Sequence, residues 1–117
     1  MNGIQYTLIV FVSLIHIYIV ILEMFLWTHP KGIKTFGLKS KQFAEETKVL
    51  AANQGLYNGF LAAGLIWSMI SQKNDVAIFF LICVFIAGLY GSFFTKKPRI
   101  FAIQSIPALL ALASLIL

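Results

Sequence analysis

Four long apolar runs constrain this chain more tightly than any motif in it. Residues 6–27 form a run of 22 with a single charge, Glu23, and residues 49–70 form a second of 22 with no charge but several amides. Residues 76–94 and 100–117 add runs of 19 and 18. An apolar helix of about 18 residues or more is long enough to cross the hydrocarbon of a bilayer. Backbone polar groups inside lipid must be satisfied within the segment, which selects helices. The expectation is an all-α protein, a four-helix transmembrane bundle forming one integral membrane domain over residues 1–117 and sitting in the cell membrane. The four runs take 81 of the 117 residues, leaving one loop of useful size and two tight turns.

Composition agrees with that reading and excludes its rivals. Only 11% of residues are charged, where an ordinary soluble domain carries about a quarter. Eleven Phe, four Tyr and two Trp are too many for a solvated, disordered chain. The net charge of +5 would raise nucleic-acid binding on a soluble domain, but its placement points elsewhere. Lys31, Lys34, Lys39 and Lys41 lie between the first two runs, and Lys96, Lys97 and Arg99 lie between the last two. By the positive-inside rule both basic breaks are cytoplasmic, with the N-terminus and C-terminus outside. The first run lacks the basic start and small-residue cleavage site of a secretory leader, so it is read as a retained helix.

The loop over residues 28–42 mixes helix breakers (Pro30, Gly32, Gly37) with Ile33, Phe36, Leu38 and lysines. Such a segment can lie on the membrane surface, where each lysine gains about 1 kcal/mol from anionic headgroups. Anionic lipid at Lys31, Lys34, Lys39 and Lys41 is therefore the expected partner, beside the plainer role of these lysines in setting orientation. No nucleic-acid partner is expected.

Ionisable groups inside a span are costly and are functional candidates by default. The first run carries two, His16 and Glu23. Seven residues apart, they share a helix face, about 10 Å apart along the axis, too far for both to hold one metal ion. The second run carries Asn53, Gln54, Tyr57 and Asn58. At 100° per residue, Glu46, Asn53 and Tyr57 fall on one stripe, flanked by Gln54 and Asn58, while Ala52, Gly55, Gly59 and Ala63 fall opposite. Small residues four apart admit a second helix closely, so Gly55, Gly59 and Ala63 are the expected homo-oligomer face. Tyr90 and Gln104 lie in the same leaflet as these groups, and the outer leaflet is almost wholly apolar. Gln104 with Pro107 marks an expected local kink.

That asymmetry predicts a polar pocket in the cytoplasmic leaflet. Glu23, His16 and Tyr57 are the candidate catalytic residues, and Asn53, Gln54, Asn58, Tyr90 and Gln104 the candidate ligand-binding ones. No metal or cofactor is expected. Cys83 stands alone, so no internal disulfide or cysteine cluster is possible. No phosphate-binding glycine loop, His-Glu-x-x-His motif or Ser/His/Asp set is present.

His16 and Glu23-Met24-Phe25-Leu26-Trp27, the string Asn53-Gln54-Gly55-Leu56-Tyr57-Asn58-Gly59, and Gly88-Leu89-Tyr90-Gly91 together resemble a family of small membrane proteins. It is catalogued as domain-of-unknown-function family 1304. The resemblance covers nearly the whole chain and implies four spans, with His16, Glu23, Asn53, Gln54, Tyr57 and Asn58 in the family pattern. It implies no activity. A weaker architectural likeness, through Glu45, Lys48 and Asn53, is to the membrane-associated eicosanoid and glutathione metabolism superfamily. That likeness implies a trimer, although the arginines that superfamily uses are absent here.

Three functions fit these residues. The first is binding or modification of a small amphiphile or lipid in the polar pocket. The second is a structural or accessory membrane subunit whose polar groups only join helices. The third is a proton-coupled transporter working as an oligomer, with Glu23 and His16 as carriers.

Overall fold

The computed structural model describes all 117 residues, and every ordered element in it is helical. Helix α1 spans Gly3–Met24, α2 spans Pro30–Phe36, α3 spans Lys41–Ser71 and α4 spans Asn74–Thr95. A fifth helical segment, α5, runs over Pro98–Ile116 and contains one wide π turn at Phe101–Ser105.

Three of these helices, α1, α4 and α5, are long and apolar enough to cross a membrane. Helix α3 is the longest at 31 residues but is not among them. Its amides Asn53, Gln54 and Asn58 dilute the stretch that apolar length alone marks as a span. Many large apolar side chains lie exposed, among them Phe11, Leu14, Phe79, Ile86 and Leu110. Exposed apolar side chains in such number are what a helix facing lipid presents.

Local chemistry explains where the helices begin and end. The Asn2 Oδ1 accepts from the Gln5 amide at 2.9 Å while the Gln5 Oε1 accepts from the Asn2 amide at 2.8 Å. This reciprocal box satisfies two orphan donors at the start of α1. Pro30 opens α2 with its missing N–H at a position that needs none. Gly37 closes it in the left-handed region, φ 62°, and Leu38 N–H returns to the Ile33 carbonyl at 3.0 Å. The residues expected to break helix in the 28–42 loop thus delimit a short one. Ser40 Oγ caps α3 by accepting from the Phe43 amide at 3.0 Å.

The chain gathers into two compact units, and α1 and α3 each contribute to both. One unit comprises Met1–Ile15 and Leu61–Leu117; the other is His16–Phe60. In the first, Ile9 and Val12 of α1, Leu65 of α3, Ala77, Leu81 and Val84 of α4, and Ala108, Ala111 and Leu112 of α5 form the core. At one end of this unit the Tyr6 hydroxyl donates to the Met69 carbonyl at 3.0 Å, and Gln5 Nε2 donates to the Ser114 carbonyl at 2.8 Å. Gln72 Nε2 reaches both the Tyr6 hydroxyl and the Met69 carbonyl.

Helices α4 and α5 meet at Gly88. The Ser105 hydroxyl occupies the space a side chain would need there and donates to the Phe85 carbonyl at 3.0 Å. Ser105 ends the π turn, in which Ile106 N–H bonds the Phe101 carbonyl. Pro107, which has no N–H, follows at once; the widened turn lies where a proline otherwise clashes with the preceding turn. The sequence led to an expected kink at Gln104 and Pro107, and the feature found there is this widened turn.

Gly88→Ala is expected to destabilise the protein by about 1–3 kcal/mol through overpacking. A Cβ would meet the Ser105 hydroxyl and come within 3.0 Å of the Ser105 backbone nitrogen. Ser105→Ala should remove only the hydroxyl share, so the penalty shrinks in that background without vanishing. Unfolding in detergent measures both; equal penalties in the two backgrounds would show that the hydroxyl is not what the methyl strikes.

Candidate functional site

The groups expected to form one site sort into two sets. The interior set belongs to the unit His16–Phe60. His16 and Glu23, seven residues apart on α1, are both buried, with 0% and 2% of their surfaces exposed. The periodicity that placed them on one face is thus the inward face of that helix. Asn58, half-buried on α3, donates from Nδ2 to Glu23 Oε1 at 2.7 Å. The same Nδ2 also lies 3.2 Å from the Gln54 carbonyl one turn earlier. The second donation steadies the amide in the rotamer that meets the carboxyl.

What brings α1 and α3 close enough for this bond is Gly55. A Cβ at that position would come within 2.6 Å of Met24 Cγ and 3.1 Å of Glu23 Cβ. Gly59, one turn on, faces Val20 at ordinary van der Waals distance. The small-residue face of α3, expected to receive a second copy, therefore receives α1 of the same chain. Ala63, the third member of that face, is exposed. Asn58 lies about 60° around the helix from Gly55, which sets it at the edge of the buried face.

The polar stripe points the other way. Asn53 and Gln54 are exposed, and their side chains make no hydrogen bond within the chain. Tyr57 is 60% exposed, its ring edge-on to Phe60 at 5.6 Å. Tyr90 is 65% exposed, and half-buried Gln104 sits on the π turn; both belong to the other unit. Within the unit His16–Phe60, Glu23 and Asn58 are thus brought into contact and His16 is buried on the same face of α1, while Asn53, Gln54 and Tyr57 are exposed.

No cation meets the Glu23 carboxyl. The ion pair the chain does form, Lys48–Glu45 at 3.3 Å, is an exposed i,i+3 contact. No group of three or more His, Cys, Asp and Glu side chains comes together to hold a metal ion. Lys31, Lys34, Lys39 and Lys41 are all exposed, with the Lys39 ammonium 4.9 Å from the Phe43 ring centroid. A shallow groove of about 220 Å³ opens beside it, lined by Lys39, Ser40, Gln42, Phe43 and Glu46. It has none of the expected site residues in its wall.

One contact of this unit has no signature in the residue order. Trp27 Nε1 donates to Thr47 Oγ1 at 2.9 Å, and that hydroxyl donates to the Phe43 carbonyl at 2.7 Å. Phe36 of α2 packs on the Trp27 ring at 5.0 Å. A Thr one turn after Phe43 is ordinary in a helix, so only the placement of Trp27 reveals this clasp.

The sequence model of the family described as "Protein of unknown function (DUF1304)" matches residues 10–116, a stretch holding every candidate residue from His16 to Gln104. The chain belongs to the DUF1304 family. The uncharacterized protein YpaA of Lactococcus lactis subsp. lactis (strain IL1403) is 31% identical over 106 residues, covering 88% of each chain. No solved structure matches. Neither the DUF1304 match nor YpaA carries the likeness to the eicosanoid and glutathione superfamily any further.

Proposed function

We propose that this DUF1304 protein is a four-span integral membrane protein that binds a small amphiphile, with Glu23 and Asn58 holding its polar head. The spans are α1, α3, α4 and α5. The exposed lysines of α2 and of the α3 start, with Lys96, Lys97 and Arg99, lie on the cytoplasmic side beside anionic headgroups. One observation carries the binding reading: a buried carboxyl on a membrane-capable helix is met by a neutral amide and by no cation. With both Asn58 N–H groups engaged, the pair leaves two acceptors, the second carboxyl oxygen and Asn58 Oδ1, which suits a head bearing an amine or hydroxyl. An intramembrane carboxyl left without a fixed cation is a functional candidate on cost alone.

A second reading has its own observation. Gly55 packs so closely on Met24 and Glu23 that the carboxyl–amide bond also serves as a helix lock. On that reading the protein is a structural or accessory subunit.

Native mass spectrometry from nanodiscs made with the host's own lipids separates the two. The binding reading expects a stoichiometric adduct that Glu23→Gln removes, since the carboxamide still accepts from Asn58 and keeps the helices joined. A clean species with no adduct, in wild type and variant alike, would overturn it in favour of the lock.

A further inference from the structure

The outward face of α3 has a spacing that packing within the chain leaves unused. Val49, Asn53, Leu56 and Phe60 follow each other at intervals of four, three and four residues, and all are exposed. Leu50 and Tyr57 flank them, 72% and 60% exposed. This is the a/d pattern of a helix seam, with Asn53 at an a position between apolar neighbours. A lone Asn at such a position fixes register and favours a parallel pair, because its amide is satisfied by the same amide of the facing helix.

We infer that this seam pairs with the same seam of a second copy, giving a parallel dimer about a two-fold axis normal to the membrane. The inference rests on α3 crossing the bilayer, as proposed above. The Asn53 side chain has both a donor and an acceptor and makes no hydrogen bond within the chain. Lipid tails supply neither. A two-fold copy supplies both, and the symmetry sets the two Asn53 side chains at equal depth without further adjustment. Helices that cross at small angles in membranes use this geometry, with amide hydrogen bonds between them. The expected small-residue face at Gly55 and Gly59 is already filled by α1, so the Asn53 face is the one α3 leaves open.

Two measurements on the full chain in lipid test this. In a Cys83→Ala background, Asn53→Cys, Leu56→Cys and Phe60→Cys are each treated with copper phenanthroline in membranes. Disulfide-linked dimers are expected at all three positions and not at the exposed α4 positions tested as Phe79→Cys and Ile86→Cys. Native mass spectrometry of the unsubstituted protein is expected to give twice the chain mass, and Asn53→Ala to weaken the dimer about threefold, the scale of one membrane hydrogen bond. Monomers in the mass spectrum, a dimer that cross-links only elsewhere, or a monomer whose lipid adduct is lost in Asn53→Ala would each overturn the proposal. Labelling of Asn53→Cys by a membrane-impermeant maleimide reports on the span separately. Rapid labelling in sealed vesicles would remove α3 from the membrane, whereas protection without a dimer would overturn the seam alone.

Discussion

Replacing Gly32 with valine is expected to release α2 from the end of α1 and to cost about 3 kcal/mol, the upper range for forced overpacking. Gly32 is buried, and a Cβ there would run into the Leu26 carbonyl oxygen, with the Leu26 carbonyl carbon at 2.8 Å and Trp27 Cα at 3.0 Å. These are backbone atoms, and the chain around them is already committed. Leu26 N–H bonds the Ile21 carbonyl at 3.1 Å, and the Leu26 carbonyl accepts from His29 N–H at 3.1 Å. A flexible side chain could swing aside; this turn cannot move without breaking its own bonds. Loss of α2 would also take Phe36 from the Trp27 ring. Chemical unfolding in detergent, followed by tryptophan fluorescence, gives the measurement. A wild-type midpoint for Gly32→Val would overturn the account of how α2 is held.

Asn58→Leu is the second large effect, with an expected loss of about 1–3 kcal/mol, the range for leaving a buried polar group without its partner. Leucine fills similar volume but leaves Glu23, only 2% exposed, with no donor at 2.7 Å. Removing both partners is a different experiment. Glu23→Leu combined with Asn58→Leu should recover most of the loss, because two apolar side chains across one interface need no hydrogen bond. A double-mutant cycle in detergent reads the coupling directly. Additive losses would mean that the pair does not act as a unit, and the polar head proposed to bind there would lose its anchor.

Much of this architecture is legible in residue order. The apolar runs mark α1, α4 and α5 because a helix is the form in which a single segment meets its own backbone polar groups in lipid. Pro30 and Gly37 bracket α2 for reasons of φ and missing N–H that operate locally. His16 and Glu23 share a buried face because seven residues nearly complete two turns. Other features needed the neighbour to be present. The box of Asn2 and Gln5 was there to be read in the spacing, but the Trp27–Thr47 clasp joins residues 20 apart that no local rule connects.

Helix α3 shows where residue order stops. Its periodicity separates a face of Ala52, Gly55, Gly59 and Ala63 from a stripe of Asn53 and Tyr57; Gly55 and Gly59 do lie apart from that exposed stripe, whereas Ala63 is exposed as well. It does not say which face turns inward. Polar groups seek partners and small residues admit close helices, and both arguments are physically sound when applied to an isolated helix. Tertiary packing decides between them: α1 comes close enough to need the missing side chain at Gly55, and only Asn58, at the edge of that face, reaches Glu23. Sequence alone determined that the chain is helical, membrane-capable and divided into faces. The tertiary structure decided which face meets which, because a face is a local property of one helix whereas a contact depends on the shape of two.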